Sequence, residues 1–101
     1  MDRKFKTVVI SGSMRFWSDI QQAASDEQLK GHIVLMPWKH PDEIPLTSEY
    51  KQLYKEMHDQ KIEMADEMLV VNTNGYIGNS VKHEIEYATT IGLPIRYTDL
   101  L

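Results

Sequence analysis

A glutamate on the apolar face of a predicted helix is the residue of this chain most suited to chemistry. The segment Gly75–Ala88 joins a glycine-containing loop to a helix. At about 100° per residue, Glu84 falls inside an apolar stripe along that helix, whereas Glu86 points away from it and is expected to face solvent. The other members of the stripe are Val81, Ile85, Ala88, Ile91 and Gly92. We therefore do not expect Glu84 to be a solubilising charge.

Glu84 has the properties of a carboxylate nucleophile. It lies in the first turns of its helix, where the helix dipole favours the ionised form, and partial burial keeps the carboxylate reactive. Retaining glycosyl transfer needs such a nucleophile on one face of a sugar and an acid that assists the leaving group. For an N-glycoside the leaving group is a nucleobase, and His58, His83 or Asp59 could supply the proton.

Structural roles remain open for the same side chains. Glu84 could form a buried ion pair with Lys61 or Lys82, or cap a neighbouring loop. His58 lies at the margin of a helical stripe, where a packed and hydrogen-bonded histidine is more common than a catalyst. Lys61 lies within that stripe, and a lysine there often extends to solvent.

A second candidate binding element, Ser11–Arg15, follows the first predicted strand. Its two hydroxyls, the close backbone approach allowed by Gly12 and the guanidinium of Arg15 suit one phosphoryl group. The element lacks the patterns G-x-x-x-x-G-K-[ST] and G-x-G-x-x-G, so a P-loop and a standard dinucleotide site are both unsupported. A tight turn with a solvated Arg15 is the structural alternative.

Predicted strands and helices alternate along the whole chain, without repeats or linkers. This pattern predicts a single α/β domain over residues 1–101, with a flavodoxin-like, doubly wound parallel sheet of four or five strands in the order 2-1-3-4(-5) and helices on both faces. Ligands bind such sheets at the carboxyl ends of the strands, which places Ser11–Arg15 beside Asn72–Asn79. The strands are predicted at Lys6–Ile10, His32–Met36, Glu67–Val71 and Pro94–Tyr97, and the helices at Phe16–Gln28, Leu46–Ala65 and Ser80–Ile91.

The middle predicted helix and the loop before it complete the chain. Thr47 or Ser48 is the expected N-cap of the helix. The loop Pro37–Pro45 holds three prolines and can be neither helix nor central strand. Its Trp38 could stack on a base or pack in the core or in a lid. The apolar stripe of the helix, expected to face the core, consists of Tyr50, Leu53, Tyr54, Met57, Met64 and Ala65.

Composition excludes several classes of function. The chain of 101 residues has a formal charge of −4 and no basic stripe, which disfavours binding to nucleic acid polymers. It has no cysteine, and its four histidines lack the spacing of a helical metal pair, so we assign no metal and no cofactor. The absence of disulfides fits the cytoplasm, and the short apolar run near the amino terminus suits neither a signal peptide nor a membrane span.

With these elements in place, the chain resembles the nucleoside 2-deoxyribosyltransferase superfamily, including its deoxynucleoside 5′-monophosphate N-glycosidase branch. The resemblance covers most of the chain and is carried by Val9–Arg15, Ala65–Val71, Gly78–Ala88 and the Gly92–Pro94 segment. It implies an enzyme that cleaves the base–sugar bond of a (deoxy)nucleoside or its 5′-monophosphate through a glutamyl-glycosyl intermediate, by hydrolysis or by transfer.

The resemblance also implies roles for individual residues. Glu84 matches the family's nucleophile, and His58 lies nearest the position of a catalytic aspartate that has no clear equivalent here. A 5′-phosphate would be held by the loop that begins at Gly12. With the loop expected to bind the sugar and the aromatic side chains expected to flank the base, the predicted substrate-binding residues are Gly12, Ser13, Met14, Arg15, Phe16, Trp38, Gly75, Tyr76, Gly78, Asn79 and Ser80.

Two departures from the family pattern support an alternative function. Glu86 replaces a glycine two residues after the nucleophile, and the catalytic aspartate is missing. A non-catalytic nucleotide-binding or sensing module with the same pocket is the alternative from a different class, and a structural subunit with an unused crevice is the third. Because a short domain of this kind has a half-open site, we expect a homodimer.

Overall fold

The computed structural model describes residues 4–99 as an α/β domain built on one parallel sheet. The strands lie in the order β2-β1-β3-β4, which confirms the predicted order and the short fourth strand at an edge. No fifth strand is formed within residues 4–99. The four strands are β1 (Thr7–Gly12), β2 (Ile33–Leu35), β3 (Glu67–Val71) and β4 (Ile95–Tyr97).

Three helices connect the strands, close to their predicted positions. They are α1 (Trp17–Leu29), α2 (Ser48–Met64) and α3 (Asn79–Thr90). The N-cap of α2 is Thr47, whose Oγ1 accepts a hydrogen bond from the Tyr50 amide at 3.2 Å. One-turn 3₁₀ helices follow β1 (Met14–Phe16) and β3 (Thr73–Gly75), so both strands end in tight turns at the same edge of the sheet.

Side-chain alternation along β1 separates two hydrophobic cores, as expected for helices on both faces. Val8 and Ile10 pack in the core beneath α1, with Ile20. Val9 packs on the other face in the core beneath α2 and α3, with Ile62 and Val81. Ser11 is two residues beyond Val9, so it shares that face and is fully buried. The alternation therefore delivers a hydroxyl to the face covered by α2 and α3.

Most of the predicted apolar stripe of α2 does not face the core, which corrects the sequence interpretation, although Ala65 at its end packs against the core beneath α2 and α3. Tyr50, Leu53, Met57 and Met64 are between 37% and 53% exposed. The fully buried apolar residue of α2 is Ile62. The exposed residues of the stripe belong to neither of the two buried core clusters. Hydrophobic periodicity alone therefore assigned the wrong side of the helix to the protein interior.

The loop between β2 and α2 forms neither helix nor strand, as predicted. Its His40 joins the loop to α2, because Nδ1 is hydrogen-bonded to the Tyr54 hydroxyl and Nε2 donates to the Ile44 carbonyl at 2.8 Å. None of the helices formed within residues 4–99 is long and apolar enough to cross a membrane.

A buried carboxylate joins the amino-terminal edge of the sheet to α1. Glu27 is only 2% exposed and accepts hydrogen bonds from Arg96 at 2.6 Å and Lys30 at 2.9 Å, with His32 Nδ1 at 3.0 Å. Arg96 also donates to Glu67 at 2.5 Å. Burial acts to raise the pKa of Glu27, but the hydrogen bonds from its cationic partners outweigh burial and bring the pKa from 4.5 to about 2.

Candidate functional site

Glu84 lies against two buried side chains from other elements. The Ser11 hydroxyl, at the end of β1, donates to Oε1 of Glu84 at 2.6 Å. His58 of α2 places Nε2 at 3.1 Å from the same Oε1 and at 3.2 Å from the Ser11 oxygen. The Glu84 side chain is 21% exposed, whereas His58 is only 7% exposed. The carboxylate therefore has an anchored buried side and an accessible side.

The contacts of Ser11, His58 and Glu84 differ from those of a serine hydrolase. In such a triad the carboxylate binds one imidazole nitrogen and the serine binds the other. Here the Ser11 hydroxyl oxygen and Oε1 of Glu84 both lie against Nε2 of His58. Nδ1 of His58 is buried without a hydrogen-bond partner in the described chain. Ser11 is also fully buried, so its oxygen is out of reach of a substrate. Glu84 is the partly exposed side chain of the group.

Glu84 forms an ion pair with neither Lys61 nor Lys82, the two partners that the sequence left open. Lys61 instead donates from Nζ to the Met36 carbonyl at 2.7 Å, and burial lowers the pKa of its amine. Lys82 is exposed. With both lysines elsewhere, the described partners of Glu84 are Ser11 and His58.

The loops after β1 and β3 meet, as the topology predicts. The guanidinium of Arg15 lies 4.5 Å from the centre of the Tyr76 ring, and Phe16 contacts the same ring edge-on with centroids 5.8 Å apart. Arg15 is exposed and makes no hydrogen bond or ion pair within residues 4–99, so its donors are available to an anion. A cation and two aromatic faces thus lie together on the loops beside Ser11.

The loop after β3 presents backbone donors at the start of α3. Gly78 is the N-cap residue and has no side-chain cap, which leaves the first amides of the helix unpaired by a side chain. Gly75 has a φ of 81°, a conformation that favours glycine. Gly75, Tyr76, Asn79 and Ser80 are exposed along this loop and the first turn of α3.

Asn72 is a residue of this loop whose structural role the sequence interpretation missed. It is fully buried, and its Oδ1 accepts from the Asp99 amide at 2.9 Å while its Nδ2 donates to the Asp99 carbonyl at 3.2 Å. The Asp99 carboxylate in turn accepts from the Asn74 amide at 2.7 Å. These bonds tie the loop to the segment after β4. An asparagine directly after a buried strand was the available signal.

Other predicted site residues are placed elsewhere. Trp38 lines a groove of about 700 Å³ with Trp17 and Leu29 of α1, and Glu84 is not among the residues that line it. His83 is exposed and faces Glu86 at 3.8 Å, and Asp59 is paired with Lys55 at 3.1 Å. Of the three candidate proton donors, His58 is the one in contact with Glu84.

The remaining residues of the candidate phosphate-binding segment Ser11–Arg15 precede Arg15 in the chain. Ser13 has no side-chain cap hydrogen bond, and Met14 is 40% exposed. Gly12 is tightly packed, because a Cβ atom there would lie 3.1 Å from both Ile20 and Val71. Within residues 4–99, no group of three or more His, Cys, Asp or Glu side chains is placed to hold a metal ion.

The fold is that of a 2-deoxyribosyltransferase. The solved structure of a 2-deoxyribosyltransferase from the psychrotolerant bacterium Bacillus psychrosaccharolyticus superposes with a TM-score of 0.72 at 13% sequence identity, over 94% of this chain and 76% of that chain. No protein-family model and no curated protein sequence matches the chain. The likeness supports the fold expected from the family resemblance.

Proposed function

We propose that the protein is a nucleoside or nucleotide N-glycosidase or 2-deoxyribosyltransferase with Glu84 as its nucleophile. The observation that carries this proposal is the anchored, partly exposed carboxylate of Glu84 at the carboxyl ends of β1 and β3. This is the edge at which doubly wound sheets bind ligands. The structural neighbour is named as a 2-deoxyribosyltransferase, which agrees with this chemistry.

The reaction follows from the accessible oxygen of Glu84. Its Oε2 attacks the anomeric carbon of the sugar as the carbon–nitrogen bond to the base breaks, and the base leaves with the bonding electron pair and takes up a proton from water. Water, or a second base, then attacks the anomeric carbon and releases Glu84. Hydrolysis gives a free sugar, and transfer gives a new nucleoside.

The surrounding loops supply the binding groups of the proposed site. Backbone amides at the start of α3, together with Gly75 and Ser80, would contact the hydroxyls of the sugar. Phe16 and Tyr76 would flank the base or the sugar. We leave Trp38 out of the site, because it lies in the groove beside α1.

A panel of nucleosides and their 5′-monophosphates, assayed by chromatography for free base, tests the proposed reaction. We expect base release from at least one member. The same panel is measured by thermal denaturation, since a ligand at 100 times its Kd adds about 2.7 kcal/mol of stability. Stabilisation without base release would instead select the nucleotide-binding or sensing alternative. The absence of both base release and stabilisation would contradict the proposed enzyme as well as the nucleotide-binding alternative.

Arg15 tests whether the substrate carries a 5′-phosphate. Its guanidinium is suited to a bidentate contact with phosphate. A charge-assisted hydrogen bond contributes about 1.5–3 kcal/mol, which corresponds to roughly a 10- to 100-fold change in binding affinity. We expect Arg15→Ala to raise KM for a 5′-monophosphate by that factor and to leave KM for the matching nucleoside within about twofold. Steady-state kinetics on both substrates provide the measurement. An equal effect on both substrates would exclude the phosphate role.

We also propose that the exposed stripe of α2 forms a homodimer interface. Its residues within the helix are separated by three, four and seven positions, the pattern of a helix that packs against another helix. The exposed members of the stripe are Tyr50, Leu53, Met57 and Met64, and the exposed Leu46 lies just before the helix.

Sedimentation of a charged variant tests the interface. We expect the parent protein to sediment as a dimer at assay concentration, and Leu53→Glu to weaken association at least about tenfold, because a buried unpaired charge is costly. Leu29→Glu is the control, since Leu29 is 85% exposed on α1. A parent protein that is monomeric throughout would refute the proposal.

A further inference from the structure

We infer that Ser11 and His58 are positioning residues that bind one oxygen of Glu84 and leave the other to attack the substrate. The inference rests on the proposed function, in which Glu84 is the nucleophile. It assigns to Ser11 a role that the family resemblance does not supply, and to His58 a role in holding the nucleophile instead of protonating the departing base.

The hydrogen-bond geometry points both side chains at the same oxygen. The Ser11 hydroxyl donates to Oε1 at 2.6 Å, and its own oxygen lies 3.2 Å from His58 Nε2. His58 Nε2 is also 3.1 Å from Oε1, so a proton on Nε2 lies between two acceptors. Oε2 makes no hydrogen bond within residues 4–99. Oε1 is therefore fixed, and Oε2 is the oxygen available for attack.

The unpartnered nitrogen of His58 defines the tautomer. Nδ1 is buried and without a hydrogen-bond partner in the described chain. A proton placed there would leave a buried donor unsatisfied, at a cost of about 1–3 kcal/mol. A proton on Nε2, in contrast, faces a carboxylate and a hydroxyl oxygen. The imidazole thus carries its proton on Nε2 and directs it at Glu84.

The position of His58 also separates it from a general acid. In retaining enzymes the acid acts on the leaving group, with about 5–5.5 Å between the two carboxyl groups of the usual pair. His58 Nε2 is 3.1 Å from Glu84 Oε1, and His58 is only 7% exposed, on the buried side of α2. Its proton is directed at the nucleophile from the buried side. His58 acts on the reaction through Glu84.

Three variants test this role by kinetics. Ser11→Ala and His58→Leu each remove one donor to Oε1, and we expect kcat to fall about 10- to 100-fold with KM within about twofold, because a misplaced reacting group costs rate more than binding. His58→Gln keeps a donor near the position of Nε2 and is expected to retain kcat within about tenfold of the parent. A Gln variant as inactive as the Leu variant would overturn the positioning role.

A spectroscopic measurement tests the geometry independently of activity. We expect ¹⁵N NMR of the unliganded parent protein to show His58 with a protonated Nε2 and an unprotonated Nδ1. A proton on Nδ1 would overturn the inference, whereas failure of the proposed function would show as the absence of base release by a parent with the expected tautomer. Near-ultraviolet circular dichroism of each variant establishes that the buried substitutions leave the fold intact.

Discussion

Glu84→Gln is expected to reduce base release by at least about a thousandfold while leaving the fold and substrate binding nearly unchanged. The amide has the shape of the carboxylate and still accepts hydrogen bonds from Ser11 and His58. It is too weak a nucleophile to form a bond to the anomeric carbon. The loss should therefore appear in kcat, with KM within about twofold of the parent value. Steady-state base release by chromatography provides the measurement.

Glu86→Gln is the matched control for this variant. The Glu86 side chain is 76% exposed and faces His83 on the solvent side of α3. The substitution makes the same chemical change one half-turn away, and activity should stay within about twofold of the parent. Equal losses from both variants, or an active Glu84→Gln, would exclude Glu84 as the nucleophile.

Glu27→Gln is expected to have the largest effect on stability. Glu27 is 2% exposed and accepts hydrogen bonds from Arg96 and Lys30. Removing its charge weakens the charge-assisted hydrogen bonds from Arg96 and Lys30, a class of bond worth about 1.5–3 kcal/mol each, while Arg96 keeps its contact with Glu67. In a domain of this size we expect Tm to fall by roughly 15 °C. Urea unfolding at pH 7 measures the free energy, and Asp26→Asn, on the exposed side of α1, is the control.

The contribution of Glu27 to the free energy of unfolding is expected to decrease at low pH. The pKa of Glu27 is lowered from 4.5 to about 2 in the folded protein, so its ionised form stabilises the fold at every pH above about 4.5. That contribution is lost as the pH falls from about 4.5 towards about 2. We expect the stability difference between the parent protein and Glu27→Gln to narrow over this range. A difference that is constant between pH 7 and pH 3 would contradict the assigned role of Glu27.

The sheet and its order could be predicted because local patterns determine them. Short β-branched runs alternate with helices, and the handedness of crossover connections leaves few arrangements of parallel strands. The meeting of the two loops follows from the same rules, since Gly12 and Val71 are paired at the ends of adjacent strands. Contacts such as that between Arg15 and Tyr76 therefore require only the topology and the loop lengths.

The orientation of α2 could not be obtained in the same way. Its apolar residues define a clear stripe, but Leu53 and Met57 are 47% and 45% exposed, whereas His58 is buried. Periodicity locates an apolar face without saying whether the sheet or another molecule covers it. A polar side chain that is buried by hydrogen bonding to Glu84 breaks the pattern on which the sequence interpretation relied.

The partners of the charged residues were also beyond the sequence interpretation. Ser11 and Glu84 are 73 positions apart, and Arg96 and Glu27 are 69 positions apart. Such pairs depend on strand register and helix rotation together, and a single sequence specifies neither to within one residue. Glu84 itself could be found because helical phase and family resemblance both single out that residue.

The formation of a covalent sugar ester on Glu84 is the measurement that tests the proposed reaction most directly. The protein is incubated with a fluorinated analogue of a panel substrate, in which a fluorine next to the anomeric carbon slows release of the sugar. The protein is then digested and analysed by mass spectrometry. Cleavage after Lys82 and Arg96 gives a peptide that holds both Glu84 and Glu86, so fragmentation must assign the modified residue. We expect one sugar on Glu84. Base release without any adduct, or an adduct on Glu86, would contradict Glu84 as the nucleophile.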